Sequence, residues 1–290
     1  MPSPVIVIHA GAGASPPPPE LREEAREALR IALARGRAAL AEGGEALDAV
    51  QAAVAYMEDE VEFFNAGRGA VLCSDGTAEL SAGLMRGHDR AAGAVAILTR
   101  SRSPVAAARA VLESSAHVLM MGPAADRFAH EHGVEGCEPD YFVTERQRVR
   151  LLERPSDFER GTVGAVCLDA SGRLAAATST GGRRGQLPGR VGDTPVIGAG
   201  TWADRRVAVS CTGDGESFIR AAAAHQLAVR IAAGEPLEPA AEATLADVGT
   251  VDGTGGVIAV DAHGAVALTF TSEAMNRGVW REGSEPEVWV

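Results

Sequence analysis

Residues 161–182 read GTVGAVCLDASGRLAAATSTGG. Two apolar runs, residues 162–168 and 174–178, flank the turn residues Ala170, Ser171 and Gly172, which predicts a β-hairpin. The hairpin starts abruptly behind EGCEPDYFVTERQRVRLLERPSDFER, residues 135–160. That stretch is highly charged and has no sustained period, so a mobile connector is expected over about residues 134–161. A Gly-Thr bond therefore opens a strand directly after a connector. Cutting that bond makes Thr162 a chain terminus. Its hydroxyl is then a nucleophile, and its own α-amine, with a pKa near ~8, is the adjacent base. The chemistry needs neither Lys nor His. Taken alone, a Gly-Thr at a strand start is more often plain structure than a reactive site.

Working outward, the front of the chain predicts a strand at residues 5–9, ended by AGAGASPPPP, whose four prolines mark a rigid surface loop. Apolar residues at helical spacing predict helices at 20–41 and 46–57. Strands are expected at 69–72, 77–84 and 93–98, with a hairpin turn at Ser74, Asp75 and Gly76. Helices are expected at 104–113 and 122–132, the first with Pro at its opening position. Behind the central hairpin, strands are predicted at 196–199 and 207–211, one long helix at 216–233 and another at 239–246. A second hairpin, 255–260 with 266–270, closes the chain. Strands cluster at the ends of each half with helices between them. That order does not suit a doubly wound sheet. It predicts an α+β fold in which antiparallel sheets stack face to face under helices on both outer sides.

Composition narrows the chemistry. The 290 residues carry 27 basic and 39 acidic side chains, a formal charge of −12, which argues against nucleic acid or an anionic membrane as partner. All 27 basic residues are Arg. Without Lys there is no Schiff base, no lysine-bearing phosphate loop and no Ser-Lys dyad. The four cysteines, Cys73, Cys137, Cys167 and Cys211, form no C-x-x-C pair, so no zinc ribbon or redox pair is indicated. The loop after the first strand breaks the dinucleotide pattern at Pro16. His130 and His132 point apart on a helix, and the other histidines share no ligand spacing. The opening MPSPVIVIHAGAG lacks the basic segment of a secretion signal, and a cytoplasmic location is expected.

Four blocks complete the reading: FNAGRGAVL at 64–72, GTVGAVCLDASGRLAAATSTGG, LPGRVGDTP and CTGDGESFIR. In this order they resemble the plant-type asparaginase and isoaspartyl peptidase family of N-terminal nucleophile hydrolases, and the resemblance runs from IHAGAG to GTGGVIAVD. It implies a four-layer αββα sandwich that cuts itself between Gly161 and Thr162 into an α chain, 1–161, and a β chain, 162–290. It implies a mature enzyme acting on L-asparagine and β-aspartyl dipeptides. Thr162 would attack, and Thr180 would hydrogen-bond the nucleophile. Thr212 and the Gly213 amide would form an oxyanion hole, and Asn65 would sit near the scissile bond. Arg190 would grip the substrate α-carboxylate, Asp193 the α-ammonium, helped by the Gly215 carbonyl. A loop from Glu58 to Arg68 resembles one that holds a sodium ion on backbone carbonyls. No other cofactor is implied, and a dimer of αβ units is.

Three departures stand against the family pattern. Ala10 replaces a glycine of HGGAG, which is expected to restrict the backbone and slow self-cleavage. Ser81 and Arg86 stand at positions that are acidic in the family, which is expected to alter hydrogen bonding around the site. Arg183 and Arg184 add two cations beside the substrate site, expected to favour acidic leaving groups. The alternatives are a glycosylasparaginase-like hydrolase and an unprocessed binder of aspartyl ligands.

Overall fold

A computed structural model describes residues 2–13, 17–60, 63–153 and 161–290. The order of elements is β1 (Val5–Gly13), α1 (Arg22–Ala41), α2 (Ala46–Asp59), β2 (Leu80–Arg86), β3 (Ala92–Leu98), α3 (Pro104–Ser114), β4 (Leu119–Met121), α4 (Gly122–Glu131) and α5 (Glu145–Leu152). The second half follows with β5 (Val163–Leu168), β6 (Leu174–Thr180), β7 (Thr201–Ala203), β8 (Val207–Gly213), α6 (Gly215–Ala221), α7 (Ala223–Ala232), α8 (Leu237–Gly249), β9 (Gly255–Asp261), β10 (Val266–Phe270), β11 (Ala274–Arg281) and β12 (Glu287–Trp289).

Alternation along the strands builds the layers. In β1, Ile6, Ile8 and Ala10 face one apolar cluster with α1 and α2, while Val5, Val7 and Ala12 face another. In β9, Val257 and Ala259 pack toward α7 and α8, while Ile258 and Val260 join the cluster of Val5 and Val7. Strands with both faces apolar must be covered on both sides, so two sheets stack between two helical layers. Each fully buried Val, Leu or Ile contributes about 1.5–3 kcal/mol. The large sheet runs β12-β11-β1-β5-β6-β2-β3-β4, the small one β10-β9-β8-β7. Among the described pairs only β3–β4 is parallel. The expected α+β sandwich of two mainly antiparallel sheets is what forms. No described helix is long and apolar enough to cross a membrane.

Several expectations are corrected. Residues 69–72 form no strand. A 3-10 helix, Gly67–Gly69, takes the first of them, and the backbone of the rest serves other partners: Val71 N–H donates to the Asn65 side chain and the Leu72 carbonyl accepts from Gly185. The turn at residues 74–76 therefore has no strand in front of it. Residues 196–199 are tight turns, and the strand begins at Thr201. The long helix breaks at Ala222, which adopts a left-handed conformation (φ 48°). The reason is tertiary: the opening N–H groups of α7, from Ala224 and His225, donate to the carbonyls of Ala199 and Gly198. The chain does not end in the hairpin β9–β10, because β11 returns to pair with β1 in the large sheet. The connector holds regular structure, a 3-10 helix at Pro139–Phe142 and α5, capped by the Thr144 hydroxyl. Residues 154–160 of that connector lie outside the described residues.

Candidate active site

β5 sits between β1 and β6, so its first turn of backbone lies at the centre of the large sheet. Thr162 directly precedes β5 and is buried. In the hairpin register Val163 faces Ser179, which brings the end of β6 beside the start of β5. Thr162 Oγ1 donates to Thr180 Oγ1 at 3.2 Å, and Thr180 Oγ1 donates onward to the Gly161 carbonyl at 3.0 Å. The Gly182 N–H donates to the same Thr180 oxygen at 2.9 Å.

Asn65 closes this group. Its Nδ2 donates to the carbonyls of Gly161 and Gly182, both at 2.8 Å, while its Oδ1 accepts from Val71 N–H at 2.9 Å. The amide is therefore held at both ends, which fixes its orientation. A Cβ at position 161 would come within 2.7 Å of the Asn65 Cβ, so glycine is required for this approach. The Gly161 carbonyl thus receives two donors, the polarisation a carbonyl needs when a nucleophile attacks its carbon.

A second group faces the mouth of the small sheet. Thr212 and Gly213 end β8, and Thr212 is buried. Thr212 Oγ1 accepts from Ala12 N–H at 3.2 Å, which leaves its own proton to donate. Gly213 has φ 148°, and a Cβ there would lie 2.4 Å from the Thr254 carbonyl oxygen. Asp193 is buried, and its Oδ2 is without a hydrogen-bond partner among the described residues. Burial pushes its carboxyl up to about 6, against the pull of Arg190. Leaving such an oxygen unpaired is costly unless a ligand supplies the donor.

Arg190 lies beside it and is not a plain surface partner of Asp193. Its Nε and Nη2 make a bidentate pair with Glu216 at 2.9 and 3.0 Å, and Nη1 reaches Gln186 Oε1 at 3.3 Å. The Arg190 pair holds the Glu216 carboxyl down at about 2. A Cβ at Gly215 would fall 2.8 Å from Arg190 Nη2 and 2.9 Å from Asp193 Oδ1, so the absent side chain leaves the two groups room.

Two participants were not recognised from the sequence. His9 of β1 is wholly buried, and its Nε2 bonds Ser210 Oγ at 2.9 Å. Ser210 in turn bonds Thr178 Oγ1 at 2.7 Å, and Thr178 accepts from Thr201 at 2.7 Å. Burial drives the imidazole down to about 3, so it is neutral. Glu58, also buried, accepts from Ser179 Oγ and Ser103 Oγ at 2.6 Å each and from Val105 N–H at 2.8 Å. Ser179 is the neighbour of Thr180, so this carboxylate braces the end of β6. Burial raises it to about 7. A buried Glu or His bonded across distant segments leaves no local spacing to detect.

The departures also find their places. Ala10 is an ordinary strand residue opposite Val163, and the positive φ belongs to the next residue, Gly11 (101°), so the expected backbone restriction is not there. Ser81 lies opposite Thr180 across β2 and β6, whereas Arg86 sits at the far end of β2, paired with Asp89 at 2.8 Å. Arg86 is therefore outside the site. Arg184 donates to the Arg150 carbonyl on α5, so it faces the connector, and only Arg183 turns toward Asp214 and Glu216.

In the loop from Glu58 to Arg68, residues 61 and 62 lie outside the described residues. A Cβ added at Gly69 would meet the carbonyl oxygens of Phe64 and Glu60, and one added at Gly67 would meet that of Glu58. Backbone oxygens are the donors a hard cation takes. Among the described residues no cluster of three or more His, Cys, Asp or Glu is placed to hold a metal.

A sequence profile of a family described as asparaginase matches residues 2–290. An isoaspartyl peptidase of Escherichia coli (strain K12) is 45% identical over 99% of this chain and 95% of its own length. An isoaspartyl peptidase/L-asparaginase of Bos taurus is 40% identical over 97% of this chain and 94% of its own, and the Homo sapiens protein of the same name is 38% identical over the same shares.

Proposed function

The chain belongs to the asparaginase family, and from that membership and the geometry we propose that it is a threonine hydrolase of L-asparagine and β-aspartyl dipeptides that activates itself by cutting Gly161–Thr162. The observation that carries the proposal is the grouping of the Thr162 hydroxyl, Thr180, Asn65 and the Gly161 carbonyl.

In self-cleavage, Thr162 Oγ attacks the Gly161 carbonyl carbon. The oxyanion that develops is met by Asn65 Nδ2 and the Thr180 hydroxyl, already 2.8 and 3.0 Å from that oxygen. The Gly161–Thr162 C–N bond breaks, the amine takes up the proton lost by Oγ, and Gly161 is left as an ester on Thr162. Water hydrolyses the ester, giving a Gly161 carboxylate and a free Thr162.

Turnover reuses the same oxygen. The neutral Thr162 amine takes the hydroxyl proton as Oγ attacks the side-chain carbonyl of the substrate. The Thr212 hydroxyl and Gly213 N–H serve the oxyanion, each such donor worth about 3–4 kcal/mol. Ammonia or an amino acid leaves with the proton, and water releases aspartate from the ester. Arg190 binds the α-carboxylate through its Nη1/Nη2 edge, because Glu216 occupies the Nε/Nη2 edge. Asp193 Oδ2 and the Gly215 carbonyl take the α-ammonium. A sodium ion, held by carbonyls such as those of Glu58, Glu60 and Phe64, would fix the loop that carries Asn65. The acting unit is an α chain with a β chain, two such units forming the dimer, in the cytoplasm.

Of the three departures behind an unprocessed binder, Ala10 is unstrained and Arg86 stands outside the site, while Ser81, opposite Thr180, remains. The test is product analysis with L-asparagine and with β-aspartyl-leucine: aspartate is expected from both, and release from neither would contradict the proposal.

A further inference from the structure

L-Asparagine presents one carboxylate to the site, whereas a β-aspartyl dipeptide presents two, the second on the amino acid that leaves. We propose that Arg183 is the subsite for that second carboxylate, and that it makes this chain favour dipeptides over asparagine. The inference rests on the proposed hydrolase and deepens it.

Three observations carry it. First, Arg183 is attached to the reacting centre, since it follows Gly182, whose N–H and carbonyl are bonded to Thr180 and Asn65. Second, its side chain reaches from there to the start of α6. Its Nη1 lies 3.6 Å from Glu216 Oε2, the oxygen that Arg190 Nη2 holds at 3.0 Å. One carboxylate is thus shared by two guanidinium groups, the Arg190 side bidentate and close, the Arg183 side single and long. Third, Arg183 is about half exposed (45%), against 16% for Arg190. The contact of Arg183 with Asp214 Oδ1 is also long, at 4.0 Å. Arg183 therefore has donors to offer a carboxylate arriving from the open side, while Arg190 stays fixed on the α-carboxylate.

The leaving residue of a dipeptide is joined through the amide nitrogen at the carbonyl that Thr162 attacks. Its carboxylate is three bonds beyond that nitrogen, counted to a carboxylate oxygen, so it remains near the nucleophile and within the reach of a residue rooted beside Gly182. Arg184 makes no second cation here, because it is turned to α5.

The test measures kcat and KM of the processed protein for three substrates: L-asparagine, β-aspartyl-leucine and β-aspartyl-leucine amide, which lacks the second carboxylate. Arg183→Gln is expected to lower kcat/KM for β-aspartyl-leucine about tenfold relative to asparagine, chiefly through KM. The amide is expected to lose the preference already in the parent protein and to lose little more in the variant. Arg183→Lys should restore most of the difference, and Arg190→Ala should raise KM for all three. Equal losses on all three substrates in Arg183→Gln, or an unchanged ratio of dipeptide to amide, would overturn the subsite. Absence of turnover of all three by the parent would instead sink the hydrolase, and the subsite with it.

Discussion

Asp193 shows how one residue can carry the energetics of recognition. Its Oδ2 is buried and unpaired among the described residues, and burial lifts its carboxyl to about 6. Its anionic form is the one that attracts an α-ammonium, so protonation below pH 6 removes the attraction. The Thr162 amine acts in its neutral form and has a pKa near ~8. Because kcat/KM reports the ionisations of free enzyme, log kcat/KM for L-asparagine is expected to rise with a slope of two below pH 6. Between there and ~8 the slope should be one. A single slope through the whole acid limb, measured by steady-state kinetics, would contradict the assignment of Asp193. His9 does not enter this profile, since its imidazole stays neutral down to about pH 3, and Glu58, raised to about 7, bonds Ser179, Ser103 and Val105 rather than the groups assigned to the substrate.

At the scale of elements, the break between α6 and α7 is set by tertiary demand. Ala222 is exposed and left-handed, and the carbonyls of Gly198 and Ala199 take the first N–H groups of α7. A left-handed L-residue costs about 1–2 kcal/mol, and glycine avoids that cost while giving back part of it as chain entropy. Ala222→Gly is therefore expected to stabilise the fold by about 0.5–1 kcal/mol. The check is the denaturant midpoint at unchanged slope, and a lower midpoint would contradict the account. The same break marks what the sequence could not disclose. β5, β6, β8 and β9 were legible because they are buried on both faces and read as apolar runs. β11, AMNRGVWR, was not, because Asn276 and Arg277 interrupt it. Residues 69–72 look like a strand, but their backbone is drawn to Asn65 and Gly185. Thr162 was legible at the start of the hairpin, whereas Thr180 came only from the family resemblance, the expected strand ending at residue 178. The pair His9–Ser210 was not, since 201 residues separate its members.

The whole molecule is arranged so that a cut at its centre need not take it apart. The β1–β5, β1–β11 and β2–β6 ladders each join a strand before residue 161 to one after it. Apolar clusters also draw on both halves, Ile6 and Leu29 with Ala165 and Ala177. The proposed α and β chains would thus share one sandwich after cleavage, with Thr162 opening at its middle. The most direct test is intact mass with N-terminal sequencing of purified, incubated protein beside a Thr162→Ala control. The account predicts two chains, residues 1–161 and 162–290, the second beginning Thr-Val-Gly-Ala, and a single inactive chain for the control. Full turnover by material that remains one uncut chain, or equal cleavage of the Thr162→Ala protein, would contradict it.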